Sequence, residues 1–253
     1  MLRYEGQTLI DSQKKRILVV EDDIQMAKFI QFKLNYMGYE VAGNATNSTE
    51  ALERAGMLKP DLILMDIMLE GSSDGIETAQ KIVAQQHVPI IYLTAHEDEV
   101  LFERAKITEP FGYLIKPFND RDLRIVLETS LYRHEQDKRM LKALEDIRNV
   151  LNSSLDMMVT FDFEGQIIEF NTAAEDLFGL KRSVARKISI ASLLKNEDDI
   201  SLLLDGDPEA THRHEVLAFT DVEGNLCQRK IVLTPLKNSD EKLLGRLLVS
   251  HSG

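Results

Sequence analysis

The sequence predicts a doubly wound α/β domain with a parallel sheet, followed by a second, α+β domain with an antiparallel sheet. In the first half, short continuous apolar runs alternate with amphipathic stretches, the pattern of a parallel sheet covered by helices on both faces. After Leu155 the apolar and polar residues alternate, which is typical of half-exposed antiparallel strands. A length of 253 residues is enough for two domains that each bury a core.

Four predicted strands of the first half each end in residues with reactive or charged side chains. The carboxyl ends of parallel strands meet at one sheet edge, where ligands of such folds bind, so these side chains are expected in one site. The runs and their following residues are Arg16–Val20 with Glu21, Asp22 and Asp23; Asp61–Met65 with Asp66; Ile90–Leu93 with Thr94; and Tyr113–Ile115 with Lys116.

The chemistry of these strand ends indicates a metal ion and an anion. Crowded carboxylates repel one another unless a cation neutralises them, and an incomplete all-oxygen site suits Mg²⁺ that keeps several waters. The hydroxyl of Thr94 and the ammonium of Lys116 fit an anion such as a phosphoryl group.

Helices connect these strands. They are predicted over Ile24–Met37, Ser48–Met57, Ile76–Gln86 and Glu97–Lys106, and a short second strand over Tyr39–Ala42. From Asp120 no Gly or Pro occurs before Gly165, so a long helix leaves the domain. Its apolar positions Met140, Leu144, Ile147 and Leu151 form a coiled-coil-like seam, although packing on its own domain explains them equally well. His134, beside Glu135, is expected to be a solvated linker histidine.

The motifs VVEDD, LILMD, YLTA and YLIKPF, in this order, resemble the receiver domain of two-component response regulators. The resemblance implies a flavodoxin-like five-stranded sheet and phosphorylation of Asp66 by a sensor histidine kinase. It implies that Asp23, Asp66 and the backbone carbonyl of Met68 hold Mg²⁺, with Asp22 helping through water. It also implies that Lys116 pairs with the phosphoryl group and that Thr94 and Tyr113 are the two switch residues.

Simpler explanations exist for each of these residues. Asp66 and Lys116 could form a structural ion pair, while Asp22 and Asp23 merely cap a helix. Thr94 could cap the helix near Glu97, and Tyr113 could be an ordinary aromatic at a sheet edge.

One departure from the receiver pattern lies between Asp66 and Gly75. The loop reads IMLEGSSD, with Glu70 where receivers usually have proline and with one residue more before the glycine. A longer and more mobile loop is therefore expected.

The second half resembles a PAS domain. Met158–Phe163 and Gln166–Phe170 predict a hairpin, and the segment from Asn171 to Gly179 predicts a short capped helix. Three further strands are predicted over Glu215–Thr220, Leu226–Pro235 and Gly245–His251. The expected boundaries are a mobile tail over 1–14, the receiver domain over 15–134, a linker helix over 135–152 and the PAS domain over 153–253.

No tightly bound cofactor is expected in the PAS domain. Cys227 lies in a predicted strand rather than in the helical motif of a flavin-type PAS domain. His212 and His214 alternate on a strand, but without a third ligand they do not indicate a metal.

Composition limits the partners. With 42 acidic and 30 basic residues, the formal charge of -12 predicts no direct binding to nucleic acid. The single cysteine suits a cytoplasmic protein, and no apolar stretch reaches the length of about 18 residues that a membrane span needs.

The predicted function is a response regulator whose output is protein interaction through the linker and PAS domain. A homodimer could form through the linker helix or the receiver. The alternative is a transcription regulator acting through a partner or a missing DNA-binding segment. Apart from its own phosphorylation and dephosphorylation no enzyme activity is expected, because an aspartyl-phosphate phosphatase needs a second acid where Met68 stands.

Overall fold

A computed structural model describes residues 14–69, 74–95, 104–204 and 213–250 of the chain. These residues divide into two compact units, Met1–Met140 and Leu141–Gly253, and each is described by itself. Residues 1–13 of the predicted N-terminal tail and the four residues 70–73 of the unusual loop after Asp66 lie outside the described residues.

The first unit contains a five-stranded parallel sheet in the order β2-β1-β3-β4-β5. Residues of β1 and β3 are almost completely buried because both faces of the sheet are covered. The predicted flavodoxin-like sheet is therefore confirmed. Its strands are β1 Arg16–Val20, β2 Glu40–Ala45, β3 Leu62–Asp66, β4 Ile90–Thr94 and β5 Gly112–Ile115.

Alternating residues of the strands enter two separate cores, one on each face. Leu18, Ile63 and Met65 pack on one face, whereas Ile17, Leu62 and Leu64 pack on the other. The covering helices are α1 Ile24–Tyr36, α2 Ser48–Leu58, α3 Gly75–Val83 and α4 Asp120–Ser153. The helix predicted over Glu97–Lys106 falls mostly outside the described residues, and its described end, 104–106, is helical.

Helix α4 has 34 residues and begins in the first unit, where the Asn119 side chain accepts hydrogen bonds from the backbone N–H groups of Arg121 and Asp122. Its buried residues are Leu123, Leu127, Ser130 and His134. All side chains from 136 to 151 are exposed. Among the helices that the structure describes, neither this one nor any other has an apolar segment suited to a membrane span.

His134 contradicts the expectation of a solvated histidine. Its side chain is only 4% exposed. The ring stacks on His87 at 5.0 Å between centroids and meets the edge of Phe111 at 5.4 Å. The prediction was wrong because these two partners come from loops distant in sequence. The charged residues next to His134 on the helix give no sign of them.

The second unit contains a five-stranded antiparallel sheet in the order β7-β6-β10-β9-β8, as predicted. Its core includes Phe161, Phe170 and Phe219. The elements are β6 Met157–Phe161, β7 Ile167–Phe170, α5 Thr172–Phe178, α6 Arg182–Ala185, a 3₁₀ turn Ile190–Leu193, α7 Glu197–Leu204, β8 Arg213–Thr220, β9 Leu226–Lys237 and β10 Leu243–Ser250.

Helix α5 has the predicted caps at both ends. The Asn171 side chain accepts a hydrogen bond from the Ala174 N–H, and Gly179 ends the helix with φ of 64°. A Cβ on Gly179 would lie 2.2 Å from a methyl carbon of Val222, so the close approach of the β8–β9 turn also requires glycine. Cys227 lies in β9 and is half-buried, whereas His212 lies outside the described residues.

Candidate functional site

The carboxyl ends of β1, β3 and β5 bring three acids and one lysine together. Asp66 is the last residue of β3, Glu21 and Asp22 follow β1, and Lys116 follows β5. Asp66 is 6% exposed and Glu21 is 1% exposed. Three of the four acids predicted from the strand ends, together with Lys116, thus form one partly enclosed acidic site.

Lys116 connects two of these carboxylates. Its Nζ donates to Glu21 Oε2 at 2.6 Å and to Asp66 Oδ2 at 2.7 Å. Burial favours the neutral form of the ammonium, but the hydrogen bonds to Asp66 and Glu21 outweigh burial and raise the pKa of Lys116. The lysine therefore remains a cation in the site.

Glu21 is held in a less favourable environment. Burial, supported by the nearby negative charge of Asp66, raises the pKa of Glu21 to about 7, although the hydrogen bond from Lys116 opposes this shift. The Lys116 ammonium thus does not fully neutralise the carboxylates of Glu21 and Asp66. A second positive charge would relieve the repulsion between these two carboxylates.

Asp66 is fixed by the loop that follows it. Its Oδ1 accepts a hydrogen bond from the Met68 N–H at 3.0 Å, while Oδ2 is bonded to Lys116. The chain returns at Gly75, whose N–H donates to the Ile67 carbonyl at 2.9 Å. A Cβ on Gly75 would lie 1.9 Å from the Asp66 carbonyl oxygen, so only glycine allows this close approach.

A metal ion would find its ligands at Glu21, Asp22 and Asp66. One carboxylate oxygen from each of these residues lies within 4.8 Å of the others. This all-oxygen set with several negative charges has the chemistry that Mg²⁺ prefers, and water would complete the coordination of an ion bound there. The donor set therefore fits the ion expected from the sequence.

Asp23 lies outside this cluster, away from the position expected for a direct ligand. Its Oδ1 accepts hydrogen bonds from the N–H groups of Gln25 at 2.8 Å and Met26 at 3.2 Å, so the carboxylate caps α1. The alternative considered for Asp23, a helix cap, describes its position correctly. Glu21 takes its place in the cluster because it directly follows the buried strand β1, which ends at Val20 as predicted, and its side chain is itself buried.

Thr94 and Tyr113 lie on the neighbouring strands β4 and β5. Thr94 is the last residue of β4, is half-buried, and its carbonyl accepts a hydrogen bond from the Lys116 N–H at 2.7 Å. The Tyr113 ring packs at 5.9 Å from the ring of Tyr92, whose hydroxyl is hydrogen-bonded to Thr108. Thr94 therefore lies at the carboxyl edge that carries the site, whereas Tyr113 lies two residues before the end of β5.

The sequence did not single out Glu21 among the acids after β1, although its position directly after a buried strand is the signal that places it in the cluster. For Asp23, the position one residue before the helical pattern begins at Ile24 is the N-cap position, which favours the cap over the ligand.

Comparison with known families agrees with these features. The response regulator receiver domain family matches residues 17–128, and a PAS domain family matches residues 145–216. The first range contains Glu21, Asp22, Asp66 and Lys116, and the second contains the β6–β7 hairpin and α5.

Curated relatives match the first part of the chain. The transcriptional regulatory protein PdtaR of Mycobacterium tuberculosis is 35% identical over 122 residues, which are 48% of this chain and 59% of PdtaR. The DNA-binding response regulator MtrA of Mycobacterium bovis is 31% identical over 138 residues, which are 54% of this chain and 60% of MtrA. The matches thus span about 60% of the length of these relatives.

Solved structures also match this part. The signal receiver domain of a modulated diguanylate cyclase from Desulfovibrio desulfuricans G20 is 38% identical, with a TM-score of 0.47, over 49% of this chain and 98% of that one. The N-terminal domain of a response regulator/sensory box/GGDEF protein from Carboxydothermus hydrogenoformans is 36% identical, with a TM-score of 0.46, over 49% of this chain and 98% of that one.

Proposed function

We propose that this chain, whose residues 17–128 form a response regulator receiver domain and whose residues 145–216 belong to the PAS domain family, is a response regulator switched by phosphorylation of Asp66. The observation that carries the proposal is the Asp66 carboxylate, paired with Lys116 and surrounded by Glu21 and Asp22 at the end of β3. A structural ion pair alone would not need two further acids beside it.

The reaction is transfer of a phosphoryl group from a histidine to an aspartate. An Asp66 carboxylate oxygen attacks phosphorus, the new O–P bond forms as the P–N bond of phosphohistidine breaks, and the electron pair leaves with the imidazole. Lys116 stays charged and stabilises the phosphoryl oxygens from one side. The hydrogen bond from Met68 N–H to Asp66 Oδ1 holds the carboxylate in position.

We assign the Mg²⁺ site to Glu21, Asp22, Asp66 and the Met68 carbonyl. The ion would supply the positive charge that offsets the crowded carboxylates and the phosphoryl oxygens. Asp23 is left to cap α1. The receiver family match supports magnesium binding at an acidic site, and the choice of these four ligands is our proposal.

Thr94 and Tyr113 are proposed to report the phosphorylated state. The Thr94 hydroxyl would donate a hydrogen bond to a phosphoryl oxygen, and its movement toward Asp66 would free space for the Tyr113 ring. A phosphoryl group adds up to about two negative charges and new acceptor oxygens. The phosphorylated and unphosphorylated states therefore differ in the contacts of Thr94 and Tyr113, and such a difference is what shifts an equilibrium between two conformations.

The phosphoryl donor is proposed to be a sensor histidine kinase. Helix α1, which begins directly after the acidic cluster, exposes an apolar stripe that a protein partner could cover. Its residues are Phe29, Phe32 and Tyr36, which are 43%, 67% and 75% exposed. A cytoplasmic location is part of this proposal.

Output is proposed to occur by protein interaction through α4 and the PAS domain, with no other enzyme activity. The exposed seam Met140, Leu144, Ile147 and Leu151 would fit a second copy of the chain. A second candidate is a transcription regulator acting through a partner or an additional segment, favoured by the names of PdtaR and MtrA. The formal charge of -12 favours protein interaction over direct DNA binding by this chain.

The metal assignment is tested with matched amide variants and Mg²⁺ titration by calorimetry. Glu21→Gln and Asp22→Asn are expected to weaken Mg²⁺ binding at least tenfold, because each removes a carboxylate from the cluster. Asp23→Asn should bind like the wild type, since asparagine caps a helix as well as aspartate does. Loss of binding in Asp23→Asn with retention in Glu21→Gln would reverse the assignment.

A further inference from the structure

Asn171 occupies a junction of four chain segments in the second unit. It follows β7, caps α5, and lies beside the start of β6 and the C-terminal end of α4. Its side chain is buried, with the residue only 4% exposed. The adjoining Phe170 and Ala174 belong to the core of the same unit.

The amide of Asn171 uses all of its hydrogen-bonding capacity. Oδ1 accepts from the N–H groups of Met158 at 2.9 Å and Ala174 at 3.1 Å. Nδ2 donates to the carbonyls of Leu151 at 3.1 Å and Asp156 at 2.9 Å. Because both Oδ1 partners are backbone donors and both Nδ2 partners are carbonyls, the orientation of the amide is fixed by its surroundings.

Capping of α5 needs only the bond from Ala174 N–H to Oδ1. The two bonds from Nδ2 serve another purpose. Leu151 lies in the last turn of α4, where carbonyl groups have no partner within the helix. The Leu151 carbonyl accepts a long hydrogen bond from the Ser154 N–H at 3.4 Å just beyond the helix, and the shorter bond from Asn171 joins the helix end to the sheet.

The rest of the exposed part of α4 has no comparable attachment among the described residues. Its side chains from 136 to 151 are exposed, so the helix is held in the first unit at His134 and in the second unit at its last turn. A rotation or shift of the helix would therefore act on the second unit at the bond between Leu151 and Asn171.

We propose that Asn171 is a positioning residue that clamps the last turn of α4 to the β6–β7 hairpin and α5. When the end of α4 is displaced, there are two outcomes. Either the Asn171 amide moves with it and pulls on the N–H groups of Met158 and Ala174, or the two Nδ2 hydrogen bonds break. The direction of signalling rests on the proposed function, whereas the clamp exists independently of phosphorylation.

Two variants separate the clamp from the cap. Asn171→Ser keeps a good N-cap residue but has no group that reaches Leu151, and Asn171→Asp keeps the acceptor oxygen but loses both amide donors. Asn47→Ser is the matched control, because Asn47 accepts a capping hydrogen bond from the Glu50 N–H of α2, while its Nδ2 donates to the hydroxyl of the adjacent Thr46.

The first measurement is hydrogen exchange in the full chain without phosphorylation. Loss of the two Nδ2 bonds is expected to speed exchange about 10- to 100-fold in peptides covering 148–156 in both variants. Peptides of β9 and β10 should exchange as in the wild type, which shows that the second unit remains folded, and Asn47→Ser should leave 148–156 unchanged. Unchanged protection of 148–156 in both Asn171 variants would overturn the clamp.

The second measurement adds beryllofluoride and Mg²⁺ as a phosphoryl mimic. The wild type is expected to change exchange in peptides covering 157–170, and Asn171→Ser should lose at least three quarters of that change while its receiver still responds. An equal response in Asn171→Ser would overturn the coupling role. If beryllofluoride alters nothing in the wild-type receiver, the proposed phosphorylation fails, and the first measurement still decides the clamp.

Discussion

His134 makes the stability of the first unit dependent on pH. Its ring is buried between His87 and Phe111, and its Nδ1 has no hydrogen-bond partner among the described residues. Burial, aided by the positive charge of Lys138 and the proximity of His87, lowers the pKa of His134 from 6.5 to about 4. Asp137 and Glu135 oppose the shift but do not cancel it.

The direction and size of the effect follow from proton linkage. Between pH 6.5 and about 4 the unfolded chain binds a proton at His134 that the folded chain excludes, so stability falls as the pH falls through this range. With about 1.4 kcal/mol for each pKa unit, the loss between pH 8 and pH 5 is about 2 kcal/mol. Other groups titrate in the same range, so the comparison requires a variant without the imidazole.

His134→Leu is that variant, since leucine fills the buried position and does not titrate. Urea unfolding, followed by the methyl resonances of β3, is measured for both proteins at pH 8 and pH 5. The wild type should lose about 2 kcal/mol more than His134→Leu over this interval. A direct titration of the His134 ring protons by NMR should give a midpoint near 4. Equal pH dependence of the two proteins, or a midpoint near 6.5, would refute the reasoning.

Three further outcomes are expected. Gly75→Ala should destabilise the receiver by about 1–3 kcal/mol or more in urea unfolding, because the new Cβ would overlap the Asp66 carbonyl; wild-type stability would contradict that close approach. Lys116→Ala should still bind Mg²⁺ in calorimetry but lose most of the change in hydrogen exchange caused by beryllofluoride, and a full response would exclude Lys116 from the switch. Insertion of two glycines after Glu135 should leave Asp66 phosphorylation intact while removing the exchange response of residues 157–170; a surviving response would require another route than the helix.

The strand ends were predictable because their signal is local. Continuous apolar runs place β1 and β3 inside a parallel sheet, and the residue after such a run necessarily lies at its carboxyl edge. Asp66 and Lys116 could therefore be assigned to the site without knowledge of their contacts. The antiparallel second sheet was equally accessible from the alternation after Leu155.

The remaining features depend on single-residue register or on distant contacts. Whether Glu21 or Asp23 enters the acidic cluster depends on where β1 ends and α1 begins. Glu21 directly follows β1 and is buried, whereas Asp23, two residues further on, is exposed and caps α1. The burial of His134 depends on His87 and Phe111, which lie far away in sequence. The hydrogen bonds from Asn171 Nδ2 to Leu151 and Asp156 could likewise not be predicted, because the sequence pattern from Asn171 to Gly179 already explains Asn171 as a helix cap.

The most direct test of the proposed function is the mass of the intact protein after incubation with acetyl phosphate. The wild type with Mg²⁺ should gain the mass of one phosphoryl group, and hydroxylamine should remove it because an acyl phosphate is cleaved by this nucleophile. Asp66→Asn should gain none, and neither should the wild type in the presence of a metal chelator. Stable phosphorylation of Asp66→Asn, or labelling of the wild type without a divalent ion, would contradict Asp66 as the Mg²⁺-dependent acceptor.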